Sequence, residues 1–90
     1  MSIVVQKYGG SSVKSIEKIR KVAQTVIQRK CSGDDMIVVV SAMGDTTDHL
    51  NELAYSVTNH PDKRELDALL STGEAISSAL LAMTIKELGY

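Results

Sequence analysis

No tryptophan and no phenylalanine occur among the 90 residues, and three tyrosines are the whole aromatic content. Any packed interior must therefore be built from Leu, Ile, Val, Ala and Met. The single cysteine, Cys31, excludes an internal disulfide; it sits between Lys30 and Ser32 in what reads as a turn, and such cysteine usage fits a cytoplasmic protein. Neither sign of charge dominates: ten Lys plus Arg stand against eleven Asp plus Glu, a net charge of −1 with no block of like charge. That argues against a nucleic-acid-binding module and against an acidic tail. No basic segment precedes a long apolar stretch at the start, so no signal peptide is expected, and no apolar run approaches the roughly 20 residues of a membrane span. Internal repeats and low-complexity tracts are also absent. The apolar share of 43% is ordinary globular usage, and the length fits one small domain or part of a larger one.

The rest of the chain is arranged around Val4-Val5-Gln6-Lys7-Tyr8-Gly9-Gly10-Ser11-Ser12-Val13. An apolar strand runs into two glycines and two serines, and an amphipathic helix follows. Such a turn gathers backbone N–H groups and a helix N-terminus at one point, which suits an anion. Lys7 adds a full positive charge, so the stretch reads as a phosphate-binding corner. It is not a P-loop, where lysine follows the glycines, nor the G-x-G-x-x-G fingerprint, because Gly9 and Gly10 are adjacent. A plain strand-to-helix turn in which glycine supplies φ > 0 stays open beside it.

Ile3 to Gln6 reads as a strand, apolar on successive positions and so expected to be buried on both faces. Ser15 is a plausible N-cap. Ile16, Ile19, Val22, Ala23, Val26 and Ile27, spaced 3, 3, 1, 3, 1, form one face of a helix that Arg29 and Lys30 close. Ser32 to Asp35 is a turn, and Met36 to Val40 a second strand, giving a right-handed βαβ unit with parallel strands. Asp45-Thr46-Thr47-Asp48 can cap a further helix whose apolar face is Leu50, Leu53, Ala54 and Val57. Pro61 suits the first position of a helix over about Asp62 to Leu70. Ser71-Thr72-Gly73-Glu74 has the form of a capping box opening a last helix to about Leu88. That helix is expected to bury Ala75, Ile76, Ala79, Leu80, Met83 and Leu88, widened by Leu81, Ala82 and Ile85, and to stop at Gly89. Two strands apolar on both faces do not complete a parallel sheet. The chain is therefore read as the N-terminal piece of a larger domain, or as a small domain completed by a partner or by self-association.

Ligands of open α/β sheets bind beyond the carboxyl ends of the strands. Both strand ends here carry loops with glycine and hydroxyl residues, Lys7 to Ser12 and Ser41 to Asp48. Each residue also has a plainer reading: Lys7 as a solvated charge, Ser41 as a strand end, Thr47 and Asp48 as caps, Glu74 as part of the capping box. Asp45, Asp48 and His49 form a loose acidic group whose spacing matches no known metal site.

These residues resemble a known family. Lys7-Tyr8-Gly9-Gly10-Ser11-Ser12-Val13 resembles the K-[FY]-G-G-[ST]-S-[VL] signature of aspartate kinases. Val38 to Asp48, with Ser41-Ala42-Met43-Gly44-Asp45-Thr46-Thr47-Asp48 at its end, resembles their second signature. Leu69-Leu70-Ser71-Thr72-Gly73-Glu74 with Ile76-Ser77 resembles their third. The resemblance runs from Ile3 to Gly89, in family order and at family spacing. It implies the three-layer αβα parallel-sheet fold of amino-acid kinases, present as an N-terminal portion (βαβ followed by helices), with residues 1–90 lacking the remaining catalytic domain and the ACT regulatory domains.

It also implies transfer of the ATP γ-phosphate to the side-chain carboxylate of L-aspartate, giving 4-phospho-L-aspartate on the way to lysine, threonine and methionine. By that likeness Lys7, Tyr8, Gly9 and Gly10 line the ATP phosphates, with Lys7 catalytic. Thr47 and Glu74 contact aspartate, and Ser41 lies beside the site. ATP and Mg2+ are the implied cofactors, no nucleic acid or membrane partner is implied, and a homo-oligomer or completion by the rest of the kinase domain is expected. The 90 residues alone are expected to have little or no kinase activity. Another amino-acid kinase with a different acceptor, or a non-catalytic interaction or regulatory fragment, are the other readings.

Overall fold

The computed structural model of the protein describes residues 2–90. Strand β1 spans Ile3–Tyr8 and β2 spans Asp35–Val40; helices α1, α2 and α3 span Ile16–Cys31, Thr46–Val57 and Lys63–Glu87. A short 3-10 turn, Gly10–Val13, lies between β1 and α1. The strands pair in parallel with Ile3 opposite Asp35 and Tyr8 opposite Val40, so the expected βαβ unit is present. Helix α1 starts where its local signals put it: the Ser15 side chain accepts from the Lys18 amide, Glu17 sits in the first turn, and Arg29 and Lys30 occupy the last. Cys31 is the last helical residue rather than part of the turn, and Gly33, at φ 100°, makes the reversal into β2. Exposed ion pairs Arg29–Asp34 and Lys30–Asp35 span that reversal at 2.8 and 3.0 Å, adding little to stability at such exposure.

The strands do not bury both faces. Exposure alternates along each, and Ile3, Val5, Ile37 and Val39 stand on an open face at 71, 63, 52 and 47% exposure. The cause is one-sided coverage. Helices α1 and α3 pack on each other and on β2 on the same side. There Val13, Ile19, Val22, Ala23, Val26, Val40 and Leu81 form the core, flanked by Tyr8, Met36, Val38, Met43, Leu80 and Ile85. The chain thus supplies the sheet and one helical layer.

The second half departs further from expectation. Pro61 precedes the N-cap instead of opening the helix; Asp62 caps it by accepting from the Glu65 amide at 3.1 Å. The two expected helices are one helix of 25 residues. No capping box forms at Ser71, because the Ser71 and Thr72 hydroxyls donate back to the Ala68 and Leu69 carbonyls at 2.8 and 2.6 Å. Gly73 therefore lies inside a helix, where glycine costs about 1 kcal/mol relative to alanine. The buried face of α3 is Gly73, Ser77 and Leu81, with Leu80, Thr84 and Ile85 half-buried. Of the face expected from apolar spacing, Leu81 is buried and Leu80 and Ile85 are half-buried, whereas Ala75, Ile76, Ala79, Ala82, Met83 and Leu88 are exposed. Two small residues set the rotation of the helix, a signal that counting large apolar side chains overlooks. The merged helix is long and apolar enough to pass as a membrane span by length and composition, a test that helices of soluble proteins also pass. In α2 only Leu50 and Ala54 of the expected apolar face are half-buried, while Leu53 and Val57 are exposed. Gly89, at φ 93°, ends α3 as expected. Just beyond, the Tyr90 hydroxyl sits 3.3 Å from Cys31 Sγ, and that hydrogen bond raises the phenol above its ordinary pKa.

Candidate functional site

Parallel pairing in register makes both strands end at one rim, with Lys7 opposite Val39 and Tyr8 opposite Val40. The loops leaving them are joined. The Ser41 amide donates to the Tyr8 carbonyl at 3.0 Å and the Gly44 amide to the Gly10 carbonyl at 3.2 Å. Three glycines meet here for three different reasons. At Gly10 an added Cβ would lie 3.2 Å from the Ala42 carbonyl oxygen and 3.5 Å from that of Gly44, so the loops approach too closely for a side chain. Gly44 adopts φ 45°, with the Lys14 Cγ 3.2 Å from where its Cβ would stand. Gly9 has φ −77° and ψ 175°, and a Cβ there would meet nothing within 4 Å. The open alternative of a glycine turn needing φ > 0 at Gly9 or Gly10 does not hold, since the positive-φ glycines are Gly33, Gly44 and Gly89.

After Gly9 the chain tightens into the 3-10 turn, with the Ser12 amide donating to the Gly9 carbonyl at 3.0 Å. Among the described residues the Gly10 and Ser11 amides have no backbone acceptor, so both are available donors at the rim. Lys7 is exposed and shares the open sheet face with Val5 and Val39, one residue before β1 ends. The ion pairs formed among the described residues do not involve it. Tyr8 turns the other way, half-buried toward the helices, with its hydroxyl donating to Gln6 Oε1 at 2.8 Å. Its share in the rim is therefore its backbone. Ser41 is half-buried and tied to β1 through its amide; Thr47 is exposed in the first turn of α2. Glu74 is exposed on α3 and follows Gly73, whose Cβ position is 3.2 Å from Thr46 Cγ2. With the capping box gone, Glu74 has no structural duty at a helix end. The fold thus brings the end of β1 with the turn after it, the segment from Ser41 to the first turn of α2, and the Glu74 segment of α3 to one region.

Residues 2–90 match the model of the amino acid kinase family. The chain belongs to that family. It is 60% identical over 90 residues to an aspartokinase of Geobacillus stearothermophilus and 57% identical over 89 residues to one of Mycolicibacterium smegmatis. All or nearly all of this chain is covered in both, but it spans only about a fifth of the relatives' length (22 and 21%). Among solved structures, aspartate kinase from Synechocystis superposes with a TM-score of 0.94 at 46% identity, covering 99% of this chain and 15% of that one. The parallel strands followed by helices are therefore the N-terminal portion of the fold in that kinase.

In this amino acid kinase family chain, two cations beside the rim escaped the sequence reading. Lys14 lines a shallow depression of about 320 Å3 with Ser11, Gly44, Asp45 and Asp48. Lys18 Nζ donates to the Ser11 carbonyl at 3.2 Å. Their only signal in the sequence is lysine within two turns of a glycine corner, which is too common to select them. Among the described residues no three His, Cys, Asp or Glu side chains come together to hold a metal ion. The Mg2+ that the family resemblance implies has no three-ligand seat among the described residues. A groove of about 500 Å3, lined by Val26, Met36, Val38 and Ile85 together with Lys30, Asp35 and Tyr90, lies toward the opposite end of β2, away from the glycine corners.

Proposed function

We propose that this chain forms the phosphate-receiving and acceptor-binding rim of a cytoplasmic aspartate kinase, which transfers the γ-phosphate of ATP to the side-chain carboxylate of L-aspartate. The observation that carries the reading is Gly9. Neither its backbone angles nor its neighbours require glycine, so the residue makes sense when something outside the chain packs against it. Beside it are the two free amides and the unpaired Lys7 ammonium, a donor set that suits a polyanion. The acceptor carboxylate has a reference pKa of about 3.9 and is ionised at neutral pH, so no general base is needed. Catalysis is then positioning and charge stabilisation. Lys7 and the Gly10 and Ser11 amides oppose the charge that develops on the transferring phosphoryl group. Glu74 answers the ammonium of the acceptor, Thr47 hydrogen-bonds one of its carboxylates, and Ser41 borders the pocket. The open apolar sheet face of Ile3, Val5, Ile37 and Val39 is read as the surface on which the remainder of such an enzyme packs.

The test is a chimera in which this chain replaces the matching segment of the Geobacillus stearothermophilus aspartokinase, assayed for ATP-dependent phosphorylation against a panel of amino-acid acceptors. Activity on aspartate, with turnover lowered at least about 100-fold by Lys7→Ala, supports the proposal. Activity confined to another acceptor, a folded but inactive chimera, or turnover unchanged by Lys7→Ala each contradicts it.

A further inference from the structure

We propose that Gly73 is a positioning residue for the acceptor site: its missing side chain sets how closely α3 approaches the β2–α2 loop, and so where Glu74 stands relative to Thr47. Gly73 is buried in the middle of a 25-residue helix and does not have a positive φ. The backbone does not call for glycine there; the space does. An added Cβ would lie 2.9 Å from the Ala42 Cβ, 3.2 Å from Thr46 Cγ2 and 3.5 Å from Leu50 Cδ1. The Ala42 contact is shorter than side chains tolerate, so helix or loop must move.

One seam of contact thus joins α3 to the segment from Ala42 to Thr46. Its members are the immediate neighbours of the proposed acceptor residues: Gly73 precedes Glu74, Ala42 follows Ser41, and Thr46 precedes Thr47. One turn along, buried Ser77 donates its hydroxyl to the Gly73 carbonyl at 3.3 Å, so the helix stays small along this side. A methyl at position 73 therefore changes the Glu74–Thr47 separation while leaving Lys7 and the Gly10 and Ser11 amides on β1 and its loop.

This inference rests on the acceptor reading of Glu74 and Thr47, and the test separates the two. In the chimera described above, Gly73→Ala is expected to raise the KM for the acceptor about 10-fold or more, since sub-ångström misplacement is costly in a positioned site. The KM for ATP should stay within about 2-fold, because the phosphate-side donors are untouched. Adding Ala42→Gly removes the 2.9 Å clash and is expected to return the acceptor KM to within about 3-fold of the parent. An unchanged acceptor KM in Gly73→Ala, or a double variant that folds without recovering it, overturns the inference. If Gly73→Ala alone fails to fold, the double variant decides: a folded protein with parental KM supports the coupling, and an unfolded one refutes it. Thr47→Ala and Glu74→Ala are run alongside. If neither changes the acceptor KM, the acceptor reading itself falls, whatever Gly73 does.

Discussion

Exchanging each of the two adjacent glycines for alanine should separate folding from binding. At Gly9 the angles suit alanine and the added methyl meets nothing within 4 Å. Removing glycine's freedom from the unfolded chain should then stabilise the fold by about 0.4–1 kcal/mol. For a domain of this size each kcal/mol moves the midpoint by about 4–8 °C, so the rise is roughly 2–8 °C. At Gly10 the methyl would stand 3.2 and 3.5 Å from two backbone carbonyl oxygens, which cannot yield by rotating a side chain. A loss of about 1–3 kcal/mol follows. ATP binding should weaken in both, at Gly9 without any loss of stability. A methyl in the space assigned to phosphate should cost at least about 1.4 kcal/mol, a tenfold rise in Kd. Thermal melting by circular dichroism gives the first quantity and calorimetric titration of the chimera with ATP the second. A Gly9→Ala protein that melts lower, or that binds ATP as tightly as its parent, would refute the reasoning that glycine is kept at this position for an external ligand.

Other perturbations test other parts of the account. Leu81→Ala should cost about 2–4 kcal/mol, since Leu81 is 5% exposed in the core, whereas Met83→Ala, at 65% exposure, should stay within about 0.5 kcal/mol; denaturant unfolding reporting the reverse order would mean that α3 is rotated differently. Ser15→Ala should lower stability by about 0.5–2 kcal/mol by removing the cap on α1, with Ser71→Ala near neutral because its hydroxyl caps nothing; equal losses would restore a helix start at Ser71. Glu74→Gln should raise the acceptor KM more than the ATP KM, and steady-state kinetics showing the opposite would move Glu74 to the nucleotide side.

The first half of the fold was legible because its signals are local. Ser15, the Ile19–Val22–Ala23–Val26 spacing and the basic last turn each specify α1, and two apolar runs joined by one helix require parallel strands. The shared rim followed from that topology. What could not be read was which strand face is covered, since Val5 and Val4 are chemically alike and only packing by α1 and α3 distinguishes them. In the second half, the expected break between two helices turned on one residue. Gly73 after Ser71 and Thr72 looks like a break with a cap, yet it is a contact glycine inside a continuous helix. The information that decides between these readings lies in Ala42, some thirty residues away. The contrast between Gly9 and Gly10 was likewise invisible, because only coordinates tell which of two neighbouring glycines faces its own chain and which faces open space.

The central claim is that the Gly9–Gly10 corner and Lys7 form one seat for the phosphates of ATP. A crystal structure of the chimera with ATP bound tests it most directly. The account predicts phosphate oxygens within about 3.2 Å of the Gly10 and Ser11 amides and of Lys7 Nζ. Phosphates seated elsewhere, with the Lys7 ammonium pointing away from them, would contradict it.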